Sequence, residues 1–321
     1  MHSPIASMTL PQRSSLLRRA AWLCAALVLI VISLSAFLRQ SNAGLGCTPW
    51  PACHARAAAG EAPQEAAGPT QRGARAVHRV TASSLLVLLL GMAALAWMPT
   101  PRAGVEGRQI LLALGLVLFL ALLGPFTSGS RVPAVTLGNL LGGLLLFAVC
   151  VRLALPPAAR SARAGPPLGR WAWTAFALLL MQMVLGGLIS AGYAGLSCPQ
   201  LLGCHPGAQG WLALSPWQVP GAGAGLPQYA GGVGVQWLHR LGTLAVLAAV
   251  IALALAAWRA GRRKSATVLV TLVALQTELG MVLALGALPL GAALAHNLLA
   301  ALLLATVATL LPRARVLSPG L

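Results

Sequence analysis

The chain contains no aspartate, and its only glutamates are Glu61, Glu65, Glu106 and Glu278. That scarcity removes paired-carboxylate hydrolysis and the carboxylate-rich cages that hold hard cations. It also argues against a proton-coupled transporter, which wants carboxylates inside the membrane, since only Glu278 falls within an apolar run. Charged residues of both signs make up just 8% of the 321 residues and aromatics 5%, while 58% are hydrophobic. A soluble domain carries about 25% charged residues, so the composition fits a chain whose solvent is the bilayer. The charge that remains is lopsided, with 22 Lys and Arg giving a formal net charge of +18. These cations sit between apolar runs and form no stripe with interleaved aromatics, which excludes nucleic acid as a partner and marks them as topology signals.

Apolar runs lie near residues 20–38, 80–98, 109–126, 134–155, 171–190, 236–258, 266–286 and 291–311. A membrane-spanning helix needs about 20 such residues, so the expected fold is an all-α membrane protein of eight spans. The third run should end early at Gly124-Pro125. The first has Arg13, Arg18 and Arg19 ahead of it, but it exceeds a signal-peptide core and lacks a small-residue cleavage site, so it reads as a true span. With a cytoplasmic N-terminus, fifteen of the 22 basic residues fall on the inner side, among them Arg102, Arg108, Arg152, Arg259, Arg262, Arg263 and Lys264. The positive-inside rule then places both termini in the cytoplasm. The chain divides into a cytoplasmic segment 1–19, an N-terminal four-helix half 20–155, a cytoplasmic linker 156–170, a C-terminal four-helix half 171–311 and a cytoplasmic tail 312–321.

The two halves repeat a pattern. Gly44-Leu45-Gly46-Cys47 followed by Cys53-His54 returns as Gly195-Leu196-Ser197-Cys198 followed by Cys204-His205, with equal spacing between the cysteines. Downstream, Arg75-Ala76-Val77-His78-Arg79 is answered by Gln236-Trp237-Leu238-His239-Arg240, each at the start of an apolar run. Halves of four helices share one orientation, so their axis should lie along the membrane normal. Cys47/Cys53 and Cys198/Cys204 fall in expected outer loops, where each pair is either a disulfide staple or part of a soft-metal or redox site. Cys24 and Cys150 lie inside spans and read as packing.

Three histidines bear on chemistry. His78 and His239 occupy matching helix starts, and His296 lies inside the last run. A lone histidine in an apolar helix is commonly one hydrogen-bonded to a neighbouring helix. Two on adjacent antiparallel helices of one half can instead clamp a haem iron from both faces. Arg79 and Arg240 follow their histidines directly, where a guanidinium suits a haem propionate or snorkels to lipid headgroups.

The cysteine loop Cys47-Thr48-Pro49-Trp50-Pro51-Ala52-Cys53-His54, the His-Arg helix starts, Gln182-Met183-Val184-Leu185-Gly186-Gly187 ahead of Tyr193-Ala194-Gly195-Leu196, and Ala295-His296-Asn297-Leu298 together resemble the heme A synthase family across almost the whole chain. The resemblance implies an eight-span bundle that converts haem O to haem A by oxidising a ring methyl to a formyl group for cytochrome oxidase biogenesis. It implies haem b between His239 and His296 and a substrate haem site in the N-terminal half at His78. It also implies an electron donor, with heme O synthase and oxidase assembly factors as further partners. In the family a Glu stands three residues before the first His of that half, and a second His faces it. Here Arg75 stands at the first place and Asn139, in Gly138-Asn139-Leu140, at the second. Asn is a poor haem ligand and Arg no general base near neutral pH. Two readings stay open: a heme A synthase-type oxidoreductase, and a non-catalytic haem-binding membrane protein of electron transfer or oxidase assembly.

Overall fold

The computed structural model describes residues 8–42, 68–98, 100–127, 131–156, 166–201, 203–221, 223–286 and 288–312. Among them are eight helices long and apolar enough to cross a membrane. They are α1 (Leu10–Asn42), α2 (Pro69–Trp97), α3 (Gly104–Thr127), α4 (Pro133–Ala154), α5 (Pro166–Ala191), α6 (Val233–Arg259), α7 (Arg263–Leu285) and α8 (Leu290–Leu310). The fold is all-α.

The helices start earlier than the apolar runs do. α1 opens ten residues ahead because Arg13 is buried and donates to the Pro101 carbonyl, while Arg18 pairs with Glu106 at 3.7 Å. α2 opens with proline in its first turn, where the missing N–H costs nothing, and carries its polar stretch from Gln71 to Arg79 in helical form. The expectation that Gly124-Pro125 ends the third run early is corrected: Pro125 sits in the last turn of α3, which continues to Thr127. A proline so close to a helix end disturbs few downstream bonds.

Helix neighbours close two rings of four. α1 packs on α2, α2 on α3, α3 on α4 and α4 on α1; α5, α6, α7 and α8 repeat the same order of contacts. The rings meet through α4 against α8, α4 against α5, and α1 against α8. α1, α4, α5 and α8 bury small residues such as Ala21, Ala25, Ala148, Ala172, Ala175, Ala301 and Ala305, which let backbones approach closely where lipid offers no hydrophobic drive. Polar side chains add ties between the rings: Arg152 of α4 donates to the Ala308 carbonyl of α8, and Arg39 of α1 donates to Ser190 Oγ of α5 at 3.2 Å. Cys24 and Cys150 are buried and free, with Cys24 Sγ 3.6 Å from Met92 Sδ, as packing residues. Glu278 is exposed on α7, so the one carboxylate within an apolar run faces away from the bundle interior.

Candidate haem site

His239 is the seventh residue of α6 and His296 the seventh of α8. At 1.5 Å per residue both lie about 9 Å below their helix starts, a common depth. The expectation of adjacent antiparallel helices is corrected here. α6 and α8 are each packed on α7 and on α5, and α7 is joined to each by a connection of only a few residues, so the two run parallel across the ring's diagonal. A diagonal leaves more room between two imidazoles than an adjacent pair does. The rings are close enough to interact electrostatically, and each is half-buried. Nδ1 of both is sealed from solvent with no hydrogen bond of full geometry.

The walls beside each histidine share a design. The His239 ring lies against Gly186 of α5, where an added methyl would come 3.2 Å from Cε1; the His296 ring lies against Gly280 of α7, at 3.5 Å. Gln182, one turn before Gly186, donates its amide to the His239 carbonyl at 2.7 Å and to Thr243 Oγ1 at 2.9 Å. Inside a bilayer such interhelical bonds contribute about 0.6 kcal/mol each on average, so the clamp fixes α5 against α6 more than it stabilises the fold.

Above the ring the chain turns at Gly192-Tyr193, with Tyr193 at φ 55°, and enters a loop that runs to α6. Cys198 and Cys204 form a disulfide with Cα atoms 5.9 Å apart, as the staple reading expects for this pair. Arg240 Nη2 donates to the Cys198 carbonyl at 2.7 Å, and Nη1 to the Leu201 carbonyl at 3.1 Å and to the Gln200 carbonyl. Gln236 donates to the Ala194 and Gly195 carbonyls at 3.0 and 2.9 Å. The residues flanking His239 therefore hold the loop over the histidine pair. Cys47 and Cys53, with His54, lie outside the described residues. Non-reducing mass spectrometry of the intact protein is expected to show a Cys198–Cys204 linkage and a Cys47–Cys53 linkage; alkylation of all four thiols without reductant counts against both.

In the first ring His78 of α2 and Asn139 of α4 take the corresponding diagonal. His78 is half-buried and heads the inward stripe Thr81, Leu85, Leu89 and Met92, while Arg75 and Arg79 are exposed. Asn139 is the seventh residue of α4, the same register as His296 on α8. It is flanked by Gly138 and Gly142, against which Leu123, Phe119 and Leu120 of α3 pack: methyls added there would meet Leu123 at 3.1 Å and Leu120 at 2.8 Å.

The family model described as cytochrome oxidase assembly protein, COX15-CtaA, matches residues 18–308, from the third turn of α1 to the end of α8. The chain belongs to the COX15-CtaA family. The chain is 31% identical over 305 residues to a protein named heme A synthase of Shewanella oneidensis, covering 88% of this chain and 92% of that one. A heme A synthase of Rhizorhabdus wittichii is 29% identical over 250 residues, 72% of this chain and 68% of its own length. This COX15-CtaA chain is an integral membrane protein, and the matched region overlaps all eight apolar helices found among the described residues.

Three features of this COX15-CtaA member escaped sequence reading. The glutamine and glycine one turn apart recur as Gln182/Gly186 and Gln276/Gly280, each on the helix beside a histidine, and that repeated spacing was the available signal. Gln236, at the place of Arg75 in the repeat, is a loop anchor. Arg240 spends its donors on loop carbonyls, which no sequence pattern reveals.

Proposed function

We propose that this chain converts haem O to haem A in the membrane, holding haem b as cofactor in the second ring and taking haem O as substrate in the first. The observation that carries the reading is the imidazole pair of His239 and His296, at one depth on diagonal helices, each with a sealed Nδ1. Among the described residues no three His, Cys, Asp or Glu side chains gather, so the donor set is that of a haem with two axial nitrogens and not of a metal cage. Haem b, when bound, supplies one-electron exchange with an electron donor. His239 and His296 hold it; Gly186 and Gly280 leave flat seats for their rings; Arg240 fixes the loop above and adds positive charge on the propionate side. In the first ring His78 faces the substrate, and Arg79 beside it holds a propionate. The membrane is a bacterial inner membrane with both termini cytoplasmic, and heme O synthase and oxidase assembly factors are its partners.

Pigment extraction tests the activity. Cells that make haem O and express this chain are expected to contain haem A; haem O alone in such cells, with the protein present, rejects it. A second reading, a haem-binding protein without turnover, is favoured by Asn139 standing at the register of His296, with Phe119, Leu120 and Leu123 packed on the adjacent Gly138 and Gly142, and by the exposed Arg75. Orientation is tested separately: reporters fused after Leu226 and after Leu321 are expected on opposite sides, and the same side for both rejects cytoplasmic termini.

A further inference from the structure

We infer that Gly186 and Gly280 are positioning residues that bare the backbone carbonyls of Gln182 and Gln276 to the Nδ1–H groups of His239 and His296, fixing the tautomer that presents Nε2 to iron. The inference rests on the haem reading above and deepens it.

Helix geometry supplies the device. In α5 the Gln182 carbonyl points toward Gly186 and accepts its N–H, which occupies one of two lone pairs. At any residue but glycine the Cβ at 186 shields the other. Here the His239 ring occupies that space, with Cε1 3.2 Å and Nδ1 3.7 Å from where a Cβ would stand. The Gln182 backbone lies beside the His239 ring and the Gln276 backbone beside the His296 ring, and neither Nδ1 has a hydrogen-bond partner of full geometry. Nδ1 is sealed and without a partner in both rings, so the adjacent carbonyl is the acceptor on hand to offset the cost of a buried donor once the ring turns onto it. An imidazole whose Nδ1 carries the proton has its Nε2 lone pair free for a metal, and the partner of the other nitrogen sets ring orientation and basicity.

The first ring supplies the contrast. Asn139 holds the register of His296, yet its helix partner α3 offers Phe119 and Leu123 where α7 offers Gln276 and Gly280. The glycines there are Gly138 and Gly142 on α4 itself, and leucine and phenylalanine side chains fill their space. The glycine stands beside His239 and His296 and is missing from α3 beside Asn139; α1, the neighbour of the helix that carries His78, has no glycine either.

The test uses the full-length protein with its haem and reads electron paramagnetic resonance and haem release to apomyoglobin. Gly186→Ala is expected to shift the low-spin g values and to speed haem release about tenfold, the lower bound for loss of a partner behind a metal ligand. Gly280→Ala is expected to move both the same way by less, because 3.5 Å is ordinary contact. Gly187→Ala separates packing from positioning: its methyl would meet Leu137 at 2.6 Å, away from either histidine, so it lowers thermal stability and keeps the parent g values and release rate. Parental g values and release rates in both Gly186→Ala and Gly280→Ala overturn the inference. Should Gly186→Ala not accumulate, Gly280→Ala against Gly187→Ala decides alone. A parent without low-spin haem, or one whose spectrum survives His239→Ala, overturns the haem reading and this inference together. Parental spectra in the glycine variants alongside a spectrum lost in His239→Ala overturn this inference alone.

Discussion

His296→Ala is expected to abolish the low-spin haem absorption of the purified protein, and His239→Ala to do the same. Two axial imidazoles make a six-coordinate iron; with one removed the iron is five-coordinate and high-spin, so the change is a loss of one spectral species and not a graded weakening. No neighbour replaces the lost nitrogen. The segment about His296 is Leu294, Ala295, Asn297 and Leu298, and Asn297 offers only an amide, which is a poor iron ligand. Around His239 the Gln182 amide is committed to the His239 carbonyl and Thr243. Free imidazole added to either variant is expected to restore the low-spin bands, because the cavity left by the side chain lies at the depth where the ring stood. His205→Ala, in the exposed loop beyond Cys204, is expected to keep the parent spectrum. Reduced-minus-oxidised spectra that are identical in parent, His239→Ala and His296→Ala reject these two residues as ligands.

The eight helices were legible because bilayer solvent demands long apolar runs, and each run stands out against short polar loops. Their starts were not. The first turns of α1 and α2 are rich in arginine and glutamine; those of α1 are held by tertiary contacts, Arg13 buried against the Pro101 carbonyl and Arg18 on Glu106, and α2 starts on a proline. The histidines were legible as ligand candidates from the repeated His-Arg helix starts, but their arrangement was not, since ring closure decides whether α6 and α8 touch or face each other across a diagonal. Arg240 shows the same limit. Its position beside His239 suggested a propionate partner, and only the fold of residues 198–201 brings three carbonyls to its guanidinium. Glu278 read as a carboxylate inside an apolar run; the rotation of α7 turns it outward.

Arg75→Glu combined with Asn139→His is expected to raise haem A production by about 100-fold over the parent in cells that make haem O, the lower end of what a positioned general base contributes. The chain has no aspartate; among the described residues Glu106 lies in the first turn of α3 paired with Arg18, and Glu278 on the exposed face of α7. Neither serves the first ring's histidine. A glutamate at 75 stands one helical turn before His78, three residues away on the same side of α2, so its carboxylate reaches the group His78 faces. In the repeat its counterpart Gln236 donates to loop carbonyls, and an arginine is likewise a donor with no capacity to take a proton. Asn139→His restores a nitrogen ligand on the opposite face, but Phe119, Leu120 and Leu123 occupy the neighbouring space, so the imidazole enters a tighter site than His296 does. Asn139→His alone is therefore expected to gain less than the pair, and Leu123→Gly added to it is expected to recover part of the difference. Haem A at the parent level in every variant, with the parent itself fully active, shows that Arg75 and Asn139 are compatible with turnover and that the proton leaves by another route.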